Sequence, residues 1–306
     1  MMALSASAAA SSYLSIVVPF APGASADVMT RMIAQQVAED TGRNIVIENK
    51  PGGNGVIAAE SVKRASKDGK TLLLANIGTN SMNEFLYDSL SYSADDFDPV
   101  VSLWRFPSIL VVPASSPVTS VQELVELANK SSRGLSYGSA GTGSGGHVLA
   151  EMLRMATGAN MVHVPYRGIA PAMVDLMAGR LDFLFSSYAS VEKQVEAGQL
   201  RALAVASDER LPALPDLPTL KELDPKYDIV LQQWFGLAAP AGTDPATIES
   251  LQKEFAQAMQ SPRIRDTLMR QGVEVYVIGP KEFGELIRSD AERLGKVIKA
   301  IGAKAE

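Results

Sequence analysis

Leu135-Ser136-Tyr137-Gly138-Ser139-Ala140-Gly141-Thr142-Gly143-Ser144-Gly145-Gly146-His147 passes from a short apolar strand, through nine residues of glycine, serine, threonine and alanine, into a segment of helical periodicity running from Gly146 to Thr157. Strand, glycine-rich turn and amphipathic helix in that order are the unit from which parallel sheets are built. The same alternation continues on both sides. Downstream come strand Met161 to Pro165, helix Pro171 to Ala178, strand Leu181 to Phe185, helix Val191 to Ala197 and strand Arg201 to Ala206. Upstream, strand Leu14 to Pro19 leads through Phe20-Ala21-Pro22-Gly23 into a helix whose apolar positions are Val28, Met29, Met32, Ile33 and Val37, closed by Gly42. Strand Asn44 to Glu48, a turn over Lys50 to Gly55, helix Val56 to Ala65 and strand Thr71 to Ala75 complete that series.

Between the two series, Asp98 to Leu103 and Ile109 to Pro113 read as extended, and Ala114-Ser115-Ser116-Pro117 is a point where a chain leaves one unit for the next. Helix Val121 to Asn129 opens the second unit, which ends in the proline-rich, irregular stretch Leu211 to Pro225. Trp234 to Pro240 reads as a strand returning to the first unit. Three helices follow, Pro245 to Met259, Pro262 to Arg270 and Pro280 to Ile301, each with proline at its start where a missing N–H costs little. The expected fold is therefore α/β with two lobes. Residues 14–113 and 234–306 form the first, discontinuous lobe and 114–233 the second. A chain that crosses between lobes twice makes a hinge and a ligand cleft.

Composition removes whole classes of function. With 28 Lys and Arg against 34 Asp and Glu, the net charge is −6, and no run of like charge stands ready for a phosphate backbone, so no nucleic acid is expected as a partner. The chain has no cysteine, which excludes disulfides and thiolate metal sites, and its two histidines, His147 and His163, are too few for a histidine-built metal centre. No metal and no cofactor is expected. No stretch of 18 apolar residues is present to span a membrane. The opening residues, 1–13, are mostly alanine and serine with small-x-small triplets such as Ala6-Ser7-Ala8, and read as the end of an export signal, with fold reasoning starting at about Tyr13.

The glycine-rich loop predicts an anion site, because glycine lets backbone N–H groups approach closely and a helix start carries about half a positive charge. A nucleotide is disfavoured, since no Gly-Lys-Ser or Gly-Lys-Thr closes the loop. Gly141-Thr142-Gly143-Ser144-Gly145-Gly146 does match a dinucleotide fingerprint, but Arg167 stands where an acid is needed. The loop Phe20 to Asp27 has the same geometry, and two such helix starts facing one another would hold a carboxylate. Asp27 either complements its helix dipole or meets a ligand amine. Thr79 and Asn80, after the third strand, suit hydrogen bonding to a polar ligand. Tyr166 and Arg167 follow the strand ending at Pro165, where ligands collect in open sheets, and Arg167 is a candidate cation for a carboxylate or else a solvated ion pair. Asp182 is a further candidate that equally suits pairing with a cation. A rival reading is a hydrolase acting on a carboxylate through Ser144 and His147, although no Gly-x-Ser-x-Gly elbow exists.

Six segments in register resemble one family. They are Val18-Pro19-Phe20-Ala21-Pro22-Gly23 with Asp27 and Arg31; Glu48 to Gly55; Tyr137 to Ser144; His163-Val164-Pro165-Tyr166-Arg167-Gly168; Leu200 to Val205; and Leu214 to Thr219. Together, from about Leu14 to Ala303, the chain resembles the Bug family, the extracytoplasmic solute receptors of tripartite tricarboxylate transporters. The resemblance implies a type II periplasmic-binding fold that closes over a small mono- or dicarboxylate and hands it to a membrane permease, without chemistry. It implies periplasmic localisation, and ligand contacts from Phe20, Ala21, Pro22, Gly23, Ala24, Ser25 and Asp27 and from Ser139, Ala140, Gly141, Thr142 and Ser144, bordered by Thr79 and Tyr166. Ala24 and Asn80 depart from residues common in that family, glycine and histidine respectively. The acidic, ordinary surface favours a monomer.

Overall fold

The computed structural model describes residues 13–305, so the reading of residues 1–12 as an export-signal remnant lies outside the described part. Strand β1 (Leu14–Val18) is buried at all five positions, as a strand covered by helices on both faces must be. It leads into α1 (Ser25–Thr41), which ends on Gly42 at φ 71. Then come β2 (Ile45–Asn49), α2 (Val56–Lys63) and β3 (Thr71–Asn76), with β1 pairing in parallel between β2 and β3. A π-helical turn, Gly78–Met82, and the short α3 (Asn83–Leu86) follow.

The two extended segments expected over 98–103 and 109–113 are a single 17-residue strand, β4 (Phe97–Pro113). After it the chain builds α4 (Val121–Lys130), β5 (Leu135–Ser139), α5 (Gly145–Thr157), β6 (Met161–Pro165), α6 (Ile169–Met177), β7 (Phe183–Ser187), α7 (Tyr188–Glu196) and β8 (Leu200–Val205). The stretch expected to be irregular holds one short helix, α8 (Leu220–Leu223), nucleated by a capping box between Thr219 and Glu222. The last elements are β9 (Gln232–Pro240), α9 (Pro245–Ala258), α10 (Pro262–Arg270), β10 (Glu274–Val275) and α11 (Pro280–Ile301). Each of the three long C-terminal helices carries proline in its first turn, as the sequence predicts.

The strand order is β2-β1-β3-β9-β4-β7-β5-β6, with β8 and β10 also pairing to β4. Strand β4 serves both halves of this array. Its residues up to Pro107, which pairs with Gln232, run antiparallel to β9, and from Ser108, opposite Ser187, it pairs with β7 instead. Pro107 stands at that handover. Having no N–H, it cannot donate to a ladder, so one partner strand ends there and the other begins. The returning strand β9 starts at the same level, its first residue Gln232 opposite Pro107, so β4 and β9 both meet the boundary between the halves there.

Trp234, at the start of β9, is buried and donates from its indole N–H to Asp290 of α11 at 2.8 Å, and Asp290 also accepts from Arg293 at 2.7 Å. Trp234→Phe keeps most of the apolar volume and removes one donor from a buried carboxylate. It should lower the urea-unfolding free energy by about 1.5–3 kcal/mol; an unchanged midpoint would mean that packing alone holds β9 on α11.

Candidate functional site

Strands β1, β5, β6 and β7 each lead into a helix, and those four helix starts meet. Ala24, Ser25 and Ala26 at α1, Ser144, Gly145 and Gly146 at α5, Gly168 and Ile169 at α6, and Ser187 and Ser190 at α7 all line one cavity of about 480 Å³. None of these helices has a side chain capping its first N–H groups. Those groups have no acceptor within their own helix, and each start carries about half a positive charge. No Lys, Arg, His, Asp or Glu lines the cavity. The site is therefore positive in potential without holding a cation, an arrangement that suits a carboxylate.

The loop before α1 is held from behind. Asp27 is 2% exposed and accepts from the Gly23 N–H at 2.8 Å, from Arg31 Nε at 3.0 Å and from Asn49 Nδ2 at 2.8 Å. Burial works to raise its pKa, but the hydrogen bonds from Arg31, Gly23 and Asn49 outweigh it and hold the carboxyl below its ordinary value. Asp27 thus faces its own loop. Of the residues expected at this loop, Phe20, Ala24 and Ser25 line the cavity; Ala21, Pro22 and Gly23 are exposed outside it.

The loop before α5 is locked in the same manner. Ser139 is fully buried, with its Oγ 2.6 Å from His163 Nε2 and accepting from the Gly141 N–H at 3.1 Å. His147 Nδ1 accepts from the Gly143 N–H at 3.0 Å, and the two imidazoles stack with centroids 4.0 Å apart. Burial lowers the pKa of His147, and burial together with the neighbouring His147 lowers that of His163 to about 4. Gly143 is at φ 79, and a Cβ there would stand 2.3 Å from Leu86 Cδ1, so only glycine fits. Ala140 and Ser144 reach the cavity lining; Ser139, Gly141 and Thr142 do not. The hydrolase reading fails here: Ser144 Oγ has no hydrogen-bond partner, while His147 Nδ1 is committed to the loop backbone.

Thr79 and Asn80 are buried and bond to one another at 2.6 Å, shaping the turn after β3 instead of lining the cavity. Their neighbours Asn76 and Asn83 line it. Asn76 Oδ1 accepts from the Gly78 and Thr79 N–H groups, and Asn83 Nδ2 donates to the Asn54 carbonyl at 3.1 Å and to the Tyr92 hydroxyl at 2.8 Å. These backbone partners fix both amide orientations. A buried donor, Asn76 Nδ2, and a buried acceptor, Asn83 Oδ1, are left without partners among residues that line the cavity.

The remaining candidates stand apart. The Tyr166 hydroxyl donates to Asp175 at 2.6 Å, Arg167 is exposed, and the cavity takes the next two residues, Gly168 and Ile169. Asp182 precedes β7 and accepts from the Ser136 N–H and hydroxyl at 2.7 and 2.8 Å, at the end of the strands opposite the helix starts. Sequence reasoning missed Phe106, Phe185, Gln233 and Phe235. Only the apolar character of their strands marked Phe185 and Phe235, which is equally the mark of core, and Phe106 and Gln233 fell outside the strands expected from the sequence. A larger concavity, about 790 Å³, lies between residues 207–213 and the α10–β10 segment. It gathers no helix starts, and Arg105 and Arg210 there are already paired with Glu274 and Glu222.

A family model described as the tripartite tricarboxylate transporter family receptor matches residues 29–303. The chain belongs to this receptor family. It is 30% identical over 298 residues to BugT of Bordetella pertussis, covering 95% of this chain and 90% of that protein. Among solved structures it is similar to the R. palustris protein Rpa4515 with adipate, at TM-score 0.87 and 33% identity over 95% of this chain and 98% of the other. It is also similar to MatC of Rhodopseudomonas palustris with bound malate, at TM-score 0.83 and 28% identity over 94% and 98%. The type II periplasmic-binding fold expected from the resemblance is the fold of this receptor. Its relatives are solute-binding proteins and not enzymes. Among the described residues, no helix of the receptor is long and apolar enough to cross a membrane, and no group of three or more His, Asp or Glu is placed to hold a metal.

Proposed function

We propose that this receptor works outside the cytoplasm, in the periplasm, as a monomer, closing two lobes over a small mono- or dicarboxylate and delivering it to the permease of a tripartite tricarboxylate transporter. The convergence of four uncapped helix starts on one cavity free of charged side chains carries this reading. The adipate and malate held by the two similar solved proteins support a carboxylate as the ligand here. We assign the lobes as 14–113 with 234–306, and 114–233, the change of partner strand at Pro107 and the start of β9 supporting a hinge made of two crossing strands. Within this site, Ala24 to Ala26 and Ser144 to Gly146 contact the carboxylate, while Asp27, Ser139 and Thr79 hold the loops that present them.

Isothermal titration of the receptor with benzoate, succinate, adipate and malate tests the reading. At least one acid should bind saturably and, at a hundredfold excess over its dissociation constant, stabilise the receptor by about 2.7 kcal/mol in thermal or urea unfolding. Absence of both heat and stabilisation with every acid would remove the carboxylate from the site.

A further inference from the structure

The cavity sorts its polar and apolar groups by place. Four of its hydroxyls, Ser25, Ser144, Ser187 and Ser190, sit at helix starts and a fifth, Ser186, lies beside them near the end of β7, while its unpartnered amide groups sit at Asn76 and Asn83. Strands β4 and β9 contribute an aromatic surface with one polar side chain, Gln233, whose Nε2 is committed to Ser108 Oγ at 3.1 Å. Phe235 of β9 is flanked by Phe20, at a centroid distance of 5.9 Å and 52°, and by Phe106 of β4, at 5.9 Å and 23°. Trp104, fully buried, stacks behind Phe235 at 5.1 Å and 12°. All three phenylalanines line the cavity, and Phe20 and Phe106 are only half-buried, so their rings present aromatic surface that no protein group covers. The wall is backed by the buried indole of Trp104.

A ligand that places its anionic group at the helix starts must lay the rest of itself near this wall. A hydroxyl held against it would lose water and gain no partner, which is costly. A hydrocarbon ring would gain burial, and an aromatic ring would gain ring-to-ring contact as well. We infer that, given the carboxylate reading above, the receptor selects a carboxylate whose body is an unsubstituted ring seated on Phe20, Phe235 and Phe106, over hydroxylated acids and over flexible chain acids. Such a ligand is of the size of benzoate or cyclohexanecarboxylate, which a cavity of about 480 Å³ accommodates.

Titration of the full chain with benzoate, cyclohexanecarboxylate, adipate, malate and citrate decides it, repeated with Phe106→Ala and with the more conservative Phe106→Leu. The ring acids should bind at least tenfold more tightly than malate, citrate and adipate. Phe106→Ala should weaken benzoate at least tenfold and malate less than threefold, with Phe106→Leu in between; circular dichroism and melting of each variant report whether it folds, and the wild-type ranking stands as a test by itself. Malate, citrate or adipate binding as tightly as the ring acids would overturn the inference and leave the carboxylate reading intact, as would Phe106 variants that weaken every acid alike. Failure of all five acids to bind would overturn both.

Discussion

Gly146→Ala is expected to leave a folded receptor that has lost tight ligand capture. A Cβ at this position would stand 2.7 Å from the Phe185 carbonyl oxygen, a backbone atom of β7 that can withdraw only if the strand moves. Gly146 has no positive φ, and alanine is the better helix former, so local preference favours the substitution and only the clash opposes it. Overpacking of this kind costs about 1–3 kcal/mol of stability. The larger consequence falls on the site, because the start of α5 is seated on β7 through this contact and its N–H groups face the cavity. The dissociation constant for the ligand should rise about thirtyfold, equivalent to about 2 kcal/mol. Met155→Ala is the comparison: Met155 lies on the same helix, is 49% exposed and does not line the cavity. Titration of both variants would show the effect confined to position 146. Equal affinities would mean that the seat of α5 on β7 does not position the anion-binding groups.

Mild acid should destabilise the receptor before its carboxylates are protonated. His163 is held at about 4 and His147 also below its ordinary value, whereas in the unfolded chain both titrate near 6.5. As pH falls below about 6.5, the unfolded chain takes up protons that the native state refuses, so stability drops until the folded His163 protonates near 4. The slope is at most about 1.4 kcal/mol per pH unit for each histidine, and His163, partly reached by solvent, should contribute on the order of 2–3 kcal/mol over the window. The groups around the pair are Ser139, Tyr137 and Glu151, with Arg154 paired to Glu151 at 2.8 Å, so the single carboxylate nearby is already engaged. Carboxylates held below their ordinary values, such as Asp27, lose their contribution only at lower pH. Protonation of folded His147 at Nδ1 would remove the acceptor of the Gly143 N–H, and burial defers that step to lower pH than in the unfolded chain. Urea midpoints at pH 7.0 and 4.5, for the native chain and for His163→Gln, provide the check: a steep loss in the first and a shallower one in the second are expected, and identical slopes would clear His163 of the effect.

Local pattern carried much of this. The parallel strands over 14–18, 135–139 and 183–187 are legible because burial demands short apolar runs, the edge strand over 161–165 because it keeps the same short run, and the helices that follow them because surface helices demand period-3.6 spacing. The anion loops before α1 and α5 were legible for a related reason, since glycine and small residues at a strand-to-helix turn have few structural alternatives. The loop into α6 was marked through Tyr166 and Arg167 and not through Gly168 and Ile169, which line the cavity, and the start of α7 was not marked, because Ser187-Tyr188 carries no compositional signal. The continuity of β4 through Pro107 was hidden by a residue that ordinarily ends a strand, and it is tolerated because the partner strands change there. Asp27, Ser139, Thr79, Asn80 and Asp182 were the right residue types for ligand contact, yet their side chains are spent on neighbouring loop or strand groups.

By itself the sequence determined where backbone donors would be free. A helix start leaves its first N–H groups unpaired whatever surrounds it, and chain direction puts those starts at the carboxyl ends of parallel strands. Which side chains complete the cavity was decided only in three dimensions. Phe106 and Phe235 meet across the crossing strands, Asn83 is oriented by the Asn54 carbonyl, and Gly146 is seated on the Phe185 carbonyl. These pairs are far apart in the chain or belong to different elements, so side-chain direction, unlike backbone hydrogen bonding, is set by packing partners that local spacing does not encode.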